Sequence, residues 1–535
     1  MSQFHRLLPA WQKGLDFLWA FALFTLPMTS FSLLIQLTNT VVAPLSALPI
    51  LILAVIWFIP FILRGGVLPI EARPLVVLVL VVLLANAAAF FINVPPYKER
   101  VLPAQELRAF VTLIIGVAFY FVIASWPNHT QKLHKTWQWL TISGIFTLVY
   151  ALIQSYFILG QDYEYPYWME RIQEFLVVQV PHAAERGGQR ISGLTYEPSW
   201  FAHQLVILYL PLWLAATYQR TSAFRFRVLR LSLENLLLVP GIIFFFLASP
   251  RIGLISFMLL VVFLVMKLHW ALYHKLLNKI TSRPWANKLA SQRQFRWAIG
   301  LLINIVLFLL YLALGLGLIL VASLRDERLL LMYEYLPPWK DVLKMLMLDE
   351  NTLLYYSNRL AFMERMVYWT TGWTVFRDFP WLGVGLGNSG FFFPSHMPAI
   401  GWGSYEVSML MFDSSVAPNI KSLWVRLLAE TGALGFAIFI TWLYLLFRSS
   451  QLTCRSHQPV LRTLAFTGQL ALVAFIGEGF SIDSFAMPYW WVITGIISAA
   501  GLVHRQDEFA SNASRHGVKP TPEADTQAHS EHIRV

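Results

Sequence analysis

Runs of about 20 predominantly apolar residues recur along this chain between short charged connections, the length an α-helix needs to cross about 30 Å of hydrocarbon. Lipid offers backbone groups no partner, so each run is read as a helix. About twelve are expected on this criterion, over residues 15–38, 41–63, 74–94, 106–126, 136–160, 199–218, 232–249, 251–269, 297–322, 421–447, 461–480 and 485–503. The seventh and eighth are separated by Ser249-Pro250-Arg251, which reads either as a loop or as a kink. A kink would invert everything after it. Composition agrees with the runs: 57% of the 535 residues are apolar and 13% charged, which excludes a water-soluble globule. The expected fold is an all-α polytopic integral membrane protein.

Arginines and lysines of the short connections fall on alternate loops: Arg6 and Lys13, Arg64 and Arg73, Lys132 and Lys135, Arg220 to Arg230, Lys267 to Arg296, and Arg448 to Arg462. The positive-inside rule puts these loops, and with them both termini, in the cytoplasm. The two longest connections, 161–198 and 323–420, then lie outside. The net charge of +11 is mostly topological, and nucleic acid is discounted as a partner because no soluble domain carries a basic stripe with interleaved aromatics. Five divisions follow. Residues 1–198 hold the first five helices and the first outer loop, 199–322 helices six to nine, 323–420 a large, partly helical outer loop, 421–503 helices ten to twelve, and 504–535 a polar tail read as disordered. The first apolar run is long and lacks a small-residue cleavage signal, so it reads as an uncleaved span. Cys454 is the sole cysteine and falls on a cytoplasmic loop, which leaves no disulfide framework and no thiolate metal site outside.

The segment RISGLTYEPSW, Arg190 to Trp200, sits at the mouth of the sixth helix, where bulk lipid would not select it. Arg190, Arg251, Arg359, Arg365, Lys421 and Arg426 all map to the outer side. One such cation near a helix end snorkels at little cost. Six together point to an anionic ligand, and the planar guanidinium fork suits phosphate oxygens. Glu197 either complements the positive start of its helix or acts as general base toward an acceptor. His203, further along the same helix, is a second candidate. In residues 359–388, Leu360, Met363, Val367 and Thr371 have helical spacing, and the segment ends in GVGLGN. No strand precedes these glycines, so they read as tight turns and not as a nucleotide loop. In KSLWVRLLAETGALGF, Arg426 and Glu430 are placed to pair, and Gly432 and Gly435 permit close packing. Glu478 and Asp483 add two costly acids in the same region.

RISGLTYEPSWFA, SPR before an apolar helix, the string W-x-x-G-W-x-V-F-x-D-x-P-x-x-G-V-G-x-G-N from Trp369 to Asn388, and LLAETGALGF occur in this order. Together they resemble the O-antigen polymerase and O-antigen ligase family of bacterial polysaccharide assembly, over roughly 190–480. The resemblance implies glycosyl transfer from an undecaprenyl-diphosphate-linked oligosaccharide at the periplasmic face of the bacterial inner membrane, without nucleotide sugar, metal or other cofactor. By motif position Arg190 and Arg251 would hold the diphosphate as leaving group, with Arg365 a third contact. Fixed donors of this kind stabilise charge developing on phosphate. Arg359, Lys421, Arg426 and His203 complete the expected binding set. Family ligases commonly have a histidine where this chain has Lys421-Ser422. An imidazole accepts a proton at pH 7 whereas an unperturbed lysine already carries one, which favours phosphate binding by Lys421 and leaves activation to Glu197 or to leaving-group departure. With the Glu-Pro-Ser turn, this favours the polymerase branch, making O-antigen or exopolysaccharide. Its partners would be the lipid-linked repeat, the growing polysaccharide chain and membrane lipid, with a chain-length regulator protein as a further candidate. The alternatives are a ligase acting on lipid A core or protein, and a transporter of the same glycan, which should show related halves and helices broken near the midplane.

Overall fold

The structure, a computed structural model, describes residues 2–38, 40–92, 94, 97–98, 101–160, 165–179, 190–248, 251–283, 293–323, 337–346, 352, 355–356, 362–413 and 417–515. The side chains of 2–10, 160, 251, 293, 314, 318–323, 345–346 and 513–515 lie outside that description. In chain order the helices are α1 (Ser2–Phe24), α2 (Ser32–Thr38), α3 (Ala47–Leu63), α4 (Ile70–Ala89), α5 (Leu102–Ser125), α6 (Thr130–Gly160), α7 (Tyr167–Leu176), α8 (Pro198–Gln219), α9 (Leu233–Ala248), α10 (Arg251–Thr281), α11 (Arg293–Ser323), α12 (Trp339–Leu346), α13 (Met363–Asp378), α14 (Leu423–Thr453), α15 (Pro459–Glu478) and α16 (Pro488–Arg515). Among the described residues, α4, α5, α6, α8, α10, α11, α14 and α15 are long and apolar enough to cross a membrane, while α3 and α9 are shorter apolar helices. The chain is an all-α polytopic membrane protein.

Three expected boundaries differ from those observed. The run 15–38 is not one helix: Pro27 cannot extend a helical ladder, and α1 ends at Phe24. Residues 28–31 instead pair with 43–45, through Phe31 N–H to Ala43 O at 3.0 Å and Leu45 N–H to Met28 O at 3.1 Å. The second expected span, 41–63, begins only at Ala47 and carries a π-type turn over Ala54–Phe58, just ahead of Pro60. The tail expected from 504 is helical as far as Arg515, and Arg505 anchors it by donating to both carboxylate oxygens of Glu71 at 2.7 and 3.1 Å. Residues 516–535 lie outside the described residues.

Ser249 and Pro250 also lie outside them, yet the flanking helices decide between loop and kink. The rings of Phe245 and Phe257 are 5.0 Å apart, whereas twelve residues along one continuous helix would separate them by about 18 Å. α9 and α10 therefore fold back on each other as two elements. α10 in turn runs antiparallel to α15. A Cβ on Gly477 would sit 2.5 Å from Ser256 Oγ, while Lys267, further along α10, faces Cys454 ahead of α15.

The core is built from large aromatics meeting small residues. Trp490 stacks with Phe475 at 5.3 Å and packs on Trp442 at 5.7 Å. Gly116 admits the Trp491 ring, and Gly495 approaches Tyr120 O and Ile123 so closely that a Cβ would overlap. Lipid tails are as apolar as these side chains, so close packing at glycine contacts has to hold such helices together.

Candidate active site at one end of the helix bundle

Pro198 opens α8, and Glu197 precedes it at the N-cap in extended conformation. The chain leading in is held by two glutamines. Gln154 Oε1, on α6, accepts from Ser192 N–H at 3.1 Å and Gly193 N–H at 2.8 Å, while Gln179 Nε2 donates to Gly193 O at 2.7 Å. Gln154 Nε2 also donates to Gln179 Oε1 at 3.2 Å. Gly193 has φ +55, and a Cβ there would press on the Phe201 ring at 3.0 Å, so glycine is required. Arg190 Nε donates to Ala248 O at 2.9 Å and Ile191 N–H to Leu247 O at 3.3 Å. These carbonyls belong to the last turn of α9, which lacks intrahelical partners and carries partial negative charge. Arg190 is thereby fixed at the C-terminal end of α9, whose last residue, Ala248, stands three residues before Arg251 in sequence.

The connection between α15 and α16, residues 479–487, gathers most of the remaining candidates. His203 is buried on α8 with Nδ1 against the Glu478 carboxylate and Nε2 3.3 Å from Ser481 Oγ. Lys421 Nζ lies 4.0 Å from Asp483 Oδ2. Arg426 donates through Nε to Glu430 Oε2 at 2.9 Å and through Nη1 to the Asp483 carbonyl, so it ties α14 to this connection. Glu197 is half-buried and accepts the Ser199 hydroxyl on Oε1. Tyr489, fully buried, lies within electrostatic reach of Glu478, Glu197 and Asp483. Five residues before Ser256, Arg251 stands about 7 Å beyond the Gly477 contact along α10, level with the same connection. The Tyr196 phenol is pushed up from its ordinary value by burial and by the neighbouring Glu197 carboxylate.

Arg365, in the first turn of α13, donates through Nη1 to Lys421 O at 2.8 Å. Lys421 occupies the left-handed region at φ 52, and its N–H donates to Asn419 Oδ1 at 3.0 Å. That conformation costs a residue with a side chain about 1–2 kcal/mol, so the loop holds Lys421 against its own preference. Tyr368, one turn further along α13, donates to Glu406 Oε1 at 3.0 Å. Burial, and then the Glu406 charge, push its phenol well above the ordinary range.

α13 is locked to α14 by the glycine-rich turn between them in space. Residues 380–385 lie along a break in α14 where Gly432 has φ 64 and ψ −169. Val384 N–H donates to Ala429 O at 3.0 Å, Gly385 N–H to Glu430 O at 3.0 Å and Ala433 N–H to Pro380 O at 2.8 Å. The Glu430 carboxylate accepts Gly387 N–H at 2.8 Å and the Ser389 hydroxyl at 2.7 Å in addition to Arg426. Asn86 Oδ1 accepts Leu386 N–H at 2.7 Å, and Asn388 Nδ2 donates to Glu106 Oε1 at 2.7 Å. The GVGLGN turn thus joins three membrane helices, as expected of a structural turn.

The structure therefore brings Arg190, Glu197, His203, Arg365, Lys421 and Arg426 to one end of the bundle. The Arg251 side chain and all of Arg359 lie outside the described residues. Gln154, Gln179, Asn86, Glu106 and Tyr489 escaped the sequence reading. A signal existed in four of them, because a polar side chain inside or beside an apolar span is costly unless it has a partner. Residues 236–440 match the family described as O-Antigen ligase. The similarity to that family covers 205 of the chain's 535 residues. The matched segment runs from α9 into α14 and so contains Arg251, α13, the glycine-rich turn, Lys421 and Arg426. Arg190, Glu197 and the 479–487 connection lie outside the matched range but pack against it. Comparison with curated proteins returned no match. The match points to a membrane enzyme of the O-antigen ligase or polymerase type and to glycosyltransferase-like activity on lipid-linked glycans.

Proposed function

We propose that the protein polymerises undecaprenyl-diphosphate-linked oligosaccharide repeat units at the periplasmic face of the bacterial inner membrane. The observation that carries this reading is the pinning of Arg190 to the last carbonyls of α9, beside the start of α10. Arg190 and Arg251 hold the donor diphosphate at that corner, and Arg365 and Lys421 approach from the outer loop. An acceptor hydroxyl attacks C1 of the donor sugar, a glycosidic bond forms, and the C1–O bond to phosphate breaks with its electrons leaving on the polyprenyl diphosphate. The acceptor proton passes to Glu197. Preorganised cations facing the departing diphosphate act where charge develops, which is the largest electrostatic lever available to such a site. An apolar groove of about 670 Å³ beside Gln154, lined by Leu152, Ile153, Tyr156, Phe157, Leu159 and Trp168, is suited to the first isoprenoid units.

The choice of polymerase rests on Lys421. Its ammonium sits beside Asp483 and offers charge to a phosphate where an imidazole would offer a base. The ligase reading is favoured by the description of the matching family. Purified protein given lipid-linked oligosaccharide alone should yield a ladder of longer lipid-linked chains. Product only after addition of lipid A core or a protein acceptor would establish the ligase instead. Absence of transfer to any acceptor by folded protein would overturn both.

A further inference from the structure

At the opposite end of α6 from Gln154, about 33 Å away by helix rise, two cavities adjoin. The first, about 740 Å³, lies between α1 and α6, and the second, about 690 Å³, between α6 and residues 222–227. They share Gln138 and Phe224. The first has two chemically distinct walls. Phe17 and Phe21, exposed on α1 and stacked with centroids 6.1 Å apart, form an apolar side open to lipid. Lys132 and Lys135 form the other. Lys132 is half-buried, with Nζ 4.4 Å from the Trp126 ring centroid and 3.5 Å from Trp126 O. Arg225 and Arg227 line the second cavity together with His134.

The charges do not cancel. Asp16 borders the first cavity near Lys132. Glu234, the other nearby acid, is engaged by the Ser222 hydroxyl and the Ala223 N–H, each at 2.7 Å. Among the described residues, Lys132, Lys135, Arg225 and Arg227 thus face two carboxylates, Asp16 and Glu234, which leaves the cations in excess. The His129 imidazole at the mouth is held below its ordinary value by burial and then by Lys132 and Lys135. Topological charge alone asks only for exposed cations in a loop. It does not ask for a half-buried lysine over a tryptophan in a cavity with an apolar wall.

We propose that the two cavities bind an anionic phospholipid, its phosphate between Lys132 and Lys135, its acyl chains along Phe17 and Phe21, and its headgroup reaching Arg225 and Arg227. Basic pockets between membrane helices are the sites at which acidic lipid headgroups are held. The site is independent of glycan transfer and, under the expected orientation, faces the cytoplasmic leaflet.

The test is the thermal unfolding midpoint of the full chain in zwitterionic micelles, titrated separately with phosphatidylglycerol, phosphatidylcholine and inorganic phosphate. Phosphatidylglycerol should raise the midpoint by about 3 °C or more in the wild type and in the pair Lys132→Arg and Lys135→Arg. The pair Lys132→Gln and Lys135→Gln should lose that rise. If that pair does not fold, exposed Arg225→Gln with Arg227→Gln serves the same purpose and should reduce the rise. An equal rise with phosphatidylcholine, or an undiminished rise in a folded glutamine pair, would overturn the proposal. An equal rise with inorganic phosphate would replace the lipid by a free anion and overturn it as well.

Discussion

Glu430 is buried on α14, and its carboxylate accepts from Arg426, Gly387 and Ser389. Glu430→Ala leaves a largely buried guanidinium without its carboxylate and orphans two further donors. Breaking a buried pair in this way costs about 3–5 kcal/mol, so the denaturation midpoint should fall steeply, and an unchanged midpoint would contradict the assignment. Arg426 and Glu430 were legible as a pair because they stand four apart on a helix. The two further donors to Glu430 were not, since they arrive from a turn over forty positions earlier. Cys454 gives a second prediction at this scale. Burial pushes its thiol up to about 11. A raised value means less thiolate at any lower pH, so alkylation of the native protein at pH 8 should be slower than that of a free cysteine by on the order of 100-fold. The rate should climb about tenfold per pH unit up to that value. Alkylation at the rate of an unhindered thiol would show the side chain to be exposed.

The break in α14 belongs to the scale of elements. Gly432 was read as a close-packing residue, and it does admit a neighbour, but through a left-handed backbone that interrupts the helix. A Cβ there would lie 2.2 Å from Trp381 O. Gly432→Ala should therefore destabilise the protein by more than the about 1–3 kcal/mol of backbone strain alone, with the loss visible as a lowered thermal midpoint. A midpoint within one degree of wild type would show that α14 can run through unbroken. Apolar length exposed the existence of most helices, because crossing hydrocarbon demands it. It did not expose the parallel pairing of residues 28–31 with 43–45 or the late start of α3, because an apolar run does not reveal where hydrogen bonds leave the helix. The α9–α10 corner illustrates the same limit. Pro250 left two readings open in sequence, and only the Phe245–Phe257 contact separates them.

In the whole molecule, described parts of the long connections 161–198 and 323–420 reach the same end of the bundle as 479–487, through Arg190 on α9 and Trp369 against Phe480, and in that short link only Asp483 stands out in sequence. Length drew attention to the first two, yet the short link touches His203, Lys421 and Arg426. The Asp483 charge was legible as costly in sequence, but the contacts of Ser481 with His203 and of Gly479 with Leu423 depend on helix packing and were not. Convergence places cations from residues 190 to 426 at one end of the bundle, and glycan transfer driven by a held diphosphate requires that arrangement. The most direct measurement is chain extension by purified Arg190→Ala and Arg251→Ala variants, supplied with undecaprenyl-diphosphate oligosaccharide alone and compared with wild type by product length. Each variant should keep its thermal midpoint within a few degrees and lose extension by about 10²–10³-fold or more, the range for removing one preorganised donor, and Arg→Lys should restore it incompletely because the bidentate fork is gone. A wild-type ladder from both alanine variants would contradict the diphosphate clamp.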